Sequence, residues 1–394
     1  MGPTLEEVGS LANLFLAARA ARRHKRRFPY VQAFDADLEE RLLGLSAQLR
    51  DGTYCPGEFT TFWVSDGKRR LISAAPYRDR VVHHAVVRVL EPLWERRFIH
   101  HCYACRKGKG AHAALDACTR FARRHAYVLH ADVRKYFPSV DHAILEETLF
   151  GKVRDPGLRA LLGRLIRHTG PLEPAPASFP GDDLFTPLER GHGIPIGNLT
   201  SQFFANVYLD AVDHEMTDLL GYGAYERFMD DMLVFGDTAD ALVRARAALE
   251  SALERLRLKL HPGKRAISRT RDGVRFLGFR VFPSHRRMTC SGKRRQRRRL
   301  RALQREFRCG RLPVERLRAS VASLRGHLLH ADTYYLHARH GRGNSPSSGA
   351  MRRLEHGRGT PPPLCRGANR NDNEPINVNT NNGFRVAARS TRSA

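Results

Sequence analysis

Three carboxylates carry the chemistry this sequence could do. Asp230 and Asp231 are adjacent, with Phe228-Met229 before them and Met232-Leu233-Val234-Phe235 after. Apolar runs around a short polar break read as two strands joined by a tight turn. Two acids at such a tip repel each other and gain nothing from burial, so positive charge must sit with them. A pair of Mg²⁺ ions is the natural counter-charge. Hard cations take carboxylate oxygens, and two metals roughly 3.5–4 Å apart clamp an in-line phosphoryl transfer. A bare Asp-Asp is more often a solvated turn, and Asp182-Asp183, behind Pro180-Gly181, reads as one in the same chain. The apolar flanks set Asp230-Asp231 apart, yet a second metal carboxylate is still needed. Asp132 offers it. Tyr127-Val128-Leu129-His130-Ala131 is an apolar strand ending on that acid, followed by the basic and aromatic turn Val133-Arg134-Lys135-Tyr136-Phe137.

The rest of the chain must hold these acids together and bring them a substrate. It has 394 residues, 67 Lys plus Arg against 40 acids, a formal net charge of +27 and a pI near 10.7. That balance points to a polyanion, commonly nucleic acid, rather than a small substrate. No apolar run approaches the length of a membrane span. Leu11 to Ala21 is too short and follows acids, so it does not read as a signal peptide. Seven scattered Cys suggest reduced thiols and a cytoplasmic setting. Cys102-x-x-Cys105, near His100, His101 and His112, leaves a minor metal reading open.

Residues 1–24 and 32–50 read as helices flanking the basic run Arg22 to Arg27. Phe59–Val64 and Leu71–Ser73 suit a hairpin around Gly67-Lys68-Arg69-Arg70. Helices are expected over 79–97 and 111–124, the second opened by Lys107-Gly108-Lys109-Gly110, a turn suited to phosphate. Residues 141–169 are helical with a break at Asp155-Pro156-Gly157, and 170–190 read as loop. The small-residue loop Gly191 to Gln202 runs into a helix reaching about Leu220. A helix over 238–258 and a short strand pair at Phe276–Phe282 follow. Arg286 to Arg308 holds 11 Lys or Arg with Glu306 as its one acid, a phosphate-contacting face. Helices continue over 313–339. From about Gly341, Ser, Gly, Pro and Arg dominate and apolar periodicity ends, so 341–394 reads as disordered.

The order Asp132, glycine loop, Asp230-Asp231 resembles the palm of a reverse transcriptase, and Phe228-Met229-Asp230-Asp231 matches that family's Tyr/Phe-x-Asp-Asp box. The resemblance implies an α+β right-hand polymerase. Residues 1–58 would be a helical extension and 59–126 the fingers. The palm would be 127–285, with a fingers insertion near 145–195; 286–340 would be the thumb and 341–394 a tail. It implies RNA-templated DNA synthesis from deoxynucleotides with two Mg²⁺ ions, held by Asp132, Asp230 and the Val133 carbonyl and supported by Asp231. Lys264 would be the acid for the leaving pyrophosphate. Phe137 would be the gate against a 2′-hydroxyl, and Arg70 and Arg78 would meet the triphosphate. Gly197 and Ser201 would lie under the templating pair. Phe276, Leu277 and Gly278 would form the primer grip, with Arg294, Arg295 and Arg298 on the thumb.

Most of that family has Gln-Gly-x-x-x-Ser-Pro in the loop; this chain has Ile196-Gly197-Asn198-Leu199-Thr200-Ser201-Gln202. The pattern resembles the reverse transcriptases of diversity-generating retroelements, which misincorporate opposite template adenines and work with a small basic accessory protein, an oligomer. Leu364 to Asn371 and Asn381 to Val386, within an Asn-rich stretch, resemble the ends of the variable proteins those elements diversify. Alternatives are a group II intron or retron-type enzyme, and, in another class, an inactive basic RNA-binding protein, against which the intact acids count.

Overall fold

The computed structural model describes residues 2–66, 68–172 and 177–331; the tail and its resemblance to variable proteins lie outside them. The centre is a four-stranded antiparallel sheet. Its strands are β3 (Tyr127–Val133), β4 (Tyr225–Phe228), β5 (Asp231–Gly236) and β6 (Leu260–Arg269), in spatial order β4-β5-β3-β6. A hairpin of β1 (Thr60–Asp66) and β2 (Lys68–Ala74) precedes it. A three-stranded sheet follows, of β7 (Val274–Phe276), β8 (Phe279–Val281) and β9 (Arg286–Met288).

Side chains alternate across β3 and β5. Leu129, Ala131, Val133, Met232 and Val234 enter the larger core with the helices Tyr77–Glu95, Leu199–His214 and Ala239–Arg255. Val128, Leu233 and Phe235 face the other way, onto the helix Ala111–Arg124 and β7–β9. With a period of two, Asp132 and its register partner Asp231 fall on that second face, where the sheet ends. Both faces of the sheet are covered, so β5 is a nearly continuous buried run rather than an alternating one.

The expected N-terminal helices are each divided. Ser10 is extended, accepts from the Asn13 N–H and separates Leu5–Gly9 from Leu11–Ala21. Asp37 separates Pro29–Ala36 from Leu38–Arg50. Ser10 gives the backbone a local partner that competes with helix continuation, while Asp37 leaves the helical region at φ −114° and its carboxylate accepts from Arg41. The helix after the glycine loop is α-helical to His214 and closes with a π turn, Glu215–Leu219.

β6 is the element the sequence reading lacked. Its Pro262-Gly263 and basic residues carry no strand pattern, and they form an irregularity in an edge strand. Ala131 pairs with Arg265 and Val133 with Leu260, so extra residues of β6 bulge opposite Asp132. The expected strand pair near 276–282 gains a third strand, β9, taken from the start of the basic block. Leu277 and Gly278, both at positive φ, make its two-residue turn. The basic helix then runs from Cys290 to Arg308 and packs on Val314–Leu328. Among the described residues no helix is long and apolar enough to cross a membrane.

Candidate active site

The turn between β4 and β5 holds Met229 and Asp230, and Met229 is left-handed at φ +56°. The Asp230 carbonyl accepts from the Val133 N–H at 3.3 Å, which ties the tip to the end of β3. Asp132 and Asp231 stand directly opposite each other across β3 and β5. Asp132 is buried, at 6% exposure, and Asp230 and Asp231 are half-buried. The β6 bulge brings Lys264 Nζ onto Asp132 Oδ2, and His130 Nε2 lies 3.1 Å from Asp231 Oδ1. Burial, and then the charges of Asp132 and Asp231, push the Asp230 carboxyl up to about 7. Burial opposes the charge of Lys264, but its hydrogen bond to Asp132 and the surrounding acids outweigh that and hold the ammonium above its ordinary value.

Among the described residues no three His, Cys, Asp or Glu side chains stand in a ready metal-holding arrangement. At the tip an ammonium and an imidazole sit on the acids instead. The donor set still fits a divalent cation. Three carboxylates share one end of the sheet, and one of them is driven toward neutrality by burial and then by the other two, a cost that bound dications would offset.

Over residues 64–281, more than half of the chain, the sequence matches the family described as reverse transcriptase (RNA-dependent DNA polymerase). The chain belongs to that family. Protein YkfC of Escherichia coli K12 is 25% identical across 63% of this chain and 72% of its own length. The group II intron-encoded protein LtrA of Lactococcus lactis is 24% identical across 45% of this chain and 28% of its own. Nuclear intron maturase 4, mitochondrial, of Arabidopsis thaliana is 29% identical across 46% and 21%. The match therefore spans less than a third of either intron protein. The α+β architecture, with its small antiparallel sheets, accords with the reverse transcriptase fold.

In this reverse transcriptase the glycine loop is laced to the segment that follows β3 and to the β1–β2 hairpin. The Phe137 carbonyl accepts from Ile194 N–H at 2.9 Å, and Val140 O from Gly193 N–H at 2.7 Å. On the other side Ile196 O accepts from Ser73 N–H at 2.9 Å, and Asn198 Oδ1 from Ala75 N–H at 3.3 Å. Gly197 is at φ +121°, and a Cβ there would stand 2.9 Å from Ile72 Cγ2. Glycine is thus required twice, for its dihedral and for the close approach. Phe137, Ile196 and Gly197 are half-buried, and the Phe137 ring meets Tyr136 edge-on at 5.7 Å.

The other expected residues have varied surroundings. Ser201 is 2% exposed and lines a small internal cavity with His83, His168 and Phe204, so it supports the loop from inside. Gln202 accepts from the Cys105 thiol at 3.4 Å. Arg78, expected on the triphosphate, is held by Gln48, the Cys55 carbonyl and Asp79 and lies over the Tyr54 ring, so it ties the helix Tyr77–Glu95 to Leu38–Arg50 and the segment after it. Arg70 is exposed on β2 opposite Val64. Phe276 is buried in the second core, leaving Leu277-Gly278 at the surface turn. Arg294, Arg295 and Arg298 are exposed on the basic helix.

One sequence reading closes here. Cys102 packs on Asn206, His101 bonds Tyr103 and His112 stacks on His330, so the Cys102/Cys105/His group does not converge. In the glycine turn before Ala111, Lys107 pairs with Glu91 and Lys109 donates to the His100 carbonyl. The comparison pair Asp182-Asp183 is a loop-stabilising motif. Asp182 pairs with Arg190, and Asp183 accepts from the N–H groups of Phe185 and Thr186. Sequence reasoning missed His130 on Asp231, and Arg227 with Asp213. Tyr225–Phe228 carries Glu226 and Arg227 side by side, so no signal in the sequence marks Arg227.

A pH dependence follows from Asp230. The folded chain keeps a proton there that the unfolded chain releases near the ordinary carboxylate value of about 4. Stability therefore falls as pH rises through the window up to about 7. Asp230→Asn removes that dependence. In EDTA the variant should melt above wild type at pH 8, by on the order of 1–3 kcal/mol because the carboxyl keeps some contact with water. The gap should close toward pH 4. Calorimetric scans giving the same gap at both pH values would contradict the assignment.

Proposed function

We propose that this reverse transcriptase copies a template-repeat RNA into adenine-mutagenised cDNA for a diversity-generating retroelement. The observation that carries the reading is the loop Ile196-Gly197-x-x-x-Ser201-Gln202, apolar where most of the family has Gln. Ile196 is half-buried beside Gly197, where the loop meets β2, and its side chain has no polar atom to offer a nucleotide or template base. A missing hydrogen bond of that kind weakens discrimination by on the order of 1 kcal/mol. Ile196→Gln should reduce misincorporation opposite adenine several-fold in primer extension, with little change opposite other bases. An unchanged error spectrum would remove this support.

In this reading residues 59–126 act as fingers, 127–285 as palm and 286–340 as thumb. Asp132, Asp230 and the Val133 carbonyl would hold two Mg²⁺ ions, with Asp231 in support; the ions would neutralise the triphosphate and acidify the primer 3′-hydroxyl. Lys264, charged and on Asp132, is the candidate proton donor to the departing pyrophosphate. Phe137, joined to the loop through its carbonyl, is the candidate gate that would stack under the incoming sugar and reject a 2′-hydroxyl. Arg70 is the remaining candidate for the triphosphate, and Leu277-Gly278 and the basic helix for primer and template. The partners are template RNA, the growing cDNA, deoxynucleotides and a small basic accessory oligomer, in a cytoplasmic setting. A second reading, an intron-type reverse transcriptase, is favoured by the similarity to LtrA and the Arabidopsis intron maturase. A near-copy of an expressed gene segment close to the coding sequence, differing mainly at adenines, separates the two.

A further inference from the structure

Arg227 is wholly buried in β4, two residues before the turn that carries Asp230, and its partner Asp213 on the helix Leu199–His214 is wholly buried too. Arg227 Nε donates to both Asp213 oxygens at 2.7 and 2.9 Å, and Nη2 to Oδ2 at 2.5 Å. The Tyr225 hydroxyl donates to the same carboxylate at 2.8 Å. The remaining nitrogen is the informative one. Nη1 donates to the Met229 carbonyl at 3.1 Å and to Asn206 Oδ1 at 3.2 Å. Asn206 in turn donates to the Ala104 carbonyl at 2.8 Å. The Arg227 backbone is closed as well, by His101 O at 2.9 Å and Tyr103 N–H at 3.0 Å.

A buried charge pair is a poor device for stability alone, since apolar residues of similar volume hold a core as well or better. A bidentate grip on Asp213 would also staple strand to helix without the third contact. That contact falls on the peptide joining Met229 to Asp230, at a residue in the left-handed region that a methionine rarely adopts. The guanidinium thus satisfies a carbonyl turned by the strained residue, and the orientation of that peptide fixes where the Asp230 side chain starts. We propose that Arg227, oriented by Asp213 and Asn206, is a positioning residue for the polymerase reaction: it holds the Met229-Asp230 turn so that the Asp230 carboxylate meets Asp132. The proposal rests on Asp230 being a catalytic carboxylate.

The double variant Arg227→Met/Asp213→Leu deletes both charges while keeping volume, and Arg227→Lys keeps a charge beside Asp213 without the fork that reaches Met229. Both are compared with wild type and Asp230→Asn for melting temperature, template–primer affinity and primer extension against Mg²⁺ and deoxynucleotide concentration. The expected result for either folded Arg227 variant is template–primer affinity within about twofold and kcat lower by about 10²-fold, the scale of a 1 Å misplacement. Half-saturating Mg²⁺ should rise by about tenfold, as when a group supporting metal ligands is lost, with the deoxynucleotide KM little changed. A folded variant with wild-type kcat and Mg²⁺ requirement overturns the proposal and leaves the pair as a staple. If the double variant fails to fold, Arg227→Lys is judged by the same two readouts. Asp230→Asn that still polymerises overturns the catalytic reading itself. Asp230→Asn inactive beside fully active Arg227 variants overturns this proposal alone.

Discussion

Asp132→Asn and Asp230→Asn should each reduce nucleotide incorporation by about 10³-fold or more, while RNA binding stays within about twofold of wild type. The magnitude follows from the charge each acid is asked to supply. Losing several kcal/mol of transition-state stabilisation from a metal-supported phosphoryl transfer corresponds to three or more decades in rate. Binding should be spared on the proposal that the polyanion is met on the exposed basic helix Cys290–Arg308, since removing one acid leaves that face intact. The two variants also differ in an informative way. Asp132→Asn leaves Lys264 without its carboxylate partner, whereas Asp230→Asn relieves a crowded acid. The first should lower the melting temperature and the second raise it at pH 8, although both are inactive. Primer extension with radiolabelled deoxynucleotide reads the rate and filter binding reads the affinity. Equal activity in either variant would mean that the acid is not part of the site.

The triple substitution Arg294→Gln, Arg295→Gln and Arg298→Gln should weaken template–primer binding by about 10–100-fold at 0.15 M salt. Each phosphate contact contributes roughly 0.9 to the slope of log affinity against log salt, so loss of two or three contacts should flatten that slope by about 2–3. The helix carries no buried side chain among its residues and Glu306 is its one acid, so the substitutions should leave folding nearly unchanged. The loss should be the same for different sequences, because phosphate contacts carry no base information. Fluorescence anisotropy across a salt series measures both quantities. An unchanged slope would show that the nucleic acid runs over another face.

The acids were legible because they combine two independent signals, an apolar strand ending on Asp132 and an apolar hairpin around Asp230-Asp231. Strand periodicity puts Asp132 on one face with Val128, and the antiparallel pairing of β3 with β5 then sets it opposite Asp231. β6 was not legible, since Pro262-Gly263 and the basic residues around them are turn chemistry locally and become strand only through pairing with β3. Lys264 could be named from family resemblance, but its contact with Asp132 depends on that bulge. Arg78 is adjacent to a basic hairpin in sequence, and nothing there shows that Gln48, Cys55 and Tyr54 would capture it. Ser201 sits in a small-residue loop that looks exposed, yet it lies on the inward side of the helix start. Arg227 reads as a polar position on a short strand until the buried helix behind it contributes Asp213. In each case the missing information was a long-range partner, which local pattern cannot supply.

The most direct test of the central claim, that Asp132, Asp230 and Asp231 share divalent cations, is a crystal structure with Mn²⁺, an RNA template, a primer and a non-reacting nucleotide, using the anomalous signal of the metal. The expected result is anomalous density joining Asp132 to Asp230 at carboxylate–metal distance, with the Lys264 ammonium moved from Asp132 toward the phosphates. Metal bound away from these carboxylates, with Lys264 still on Asp132 and nucleotide in place, would contradict the account.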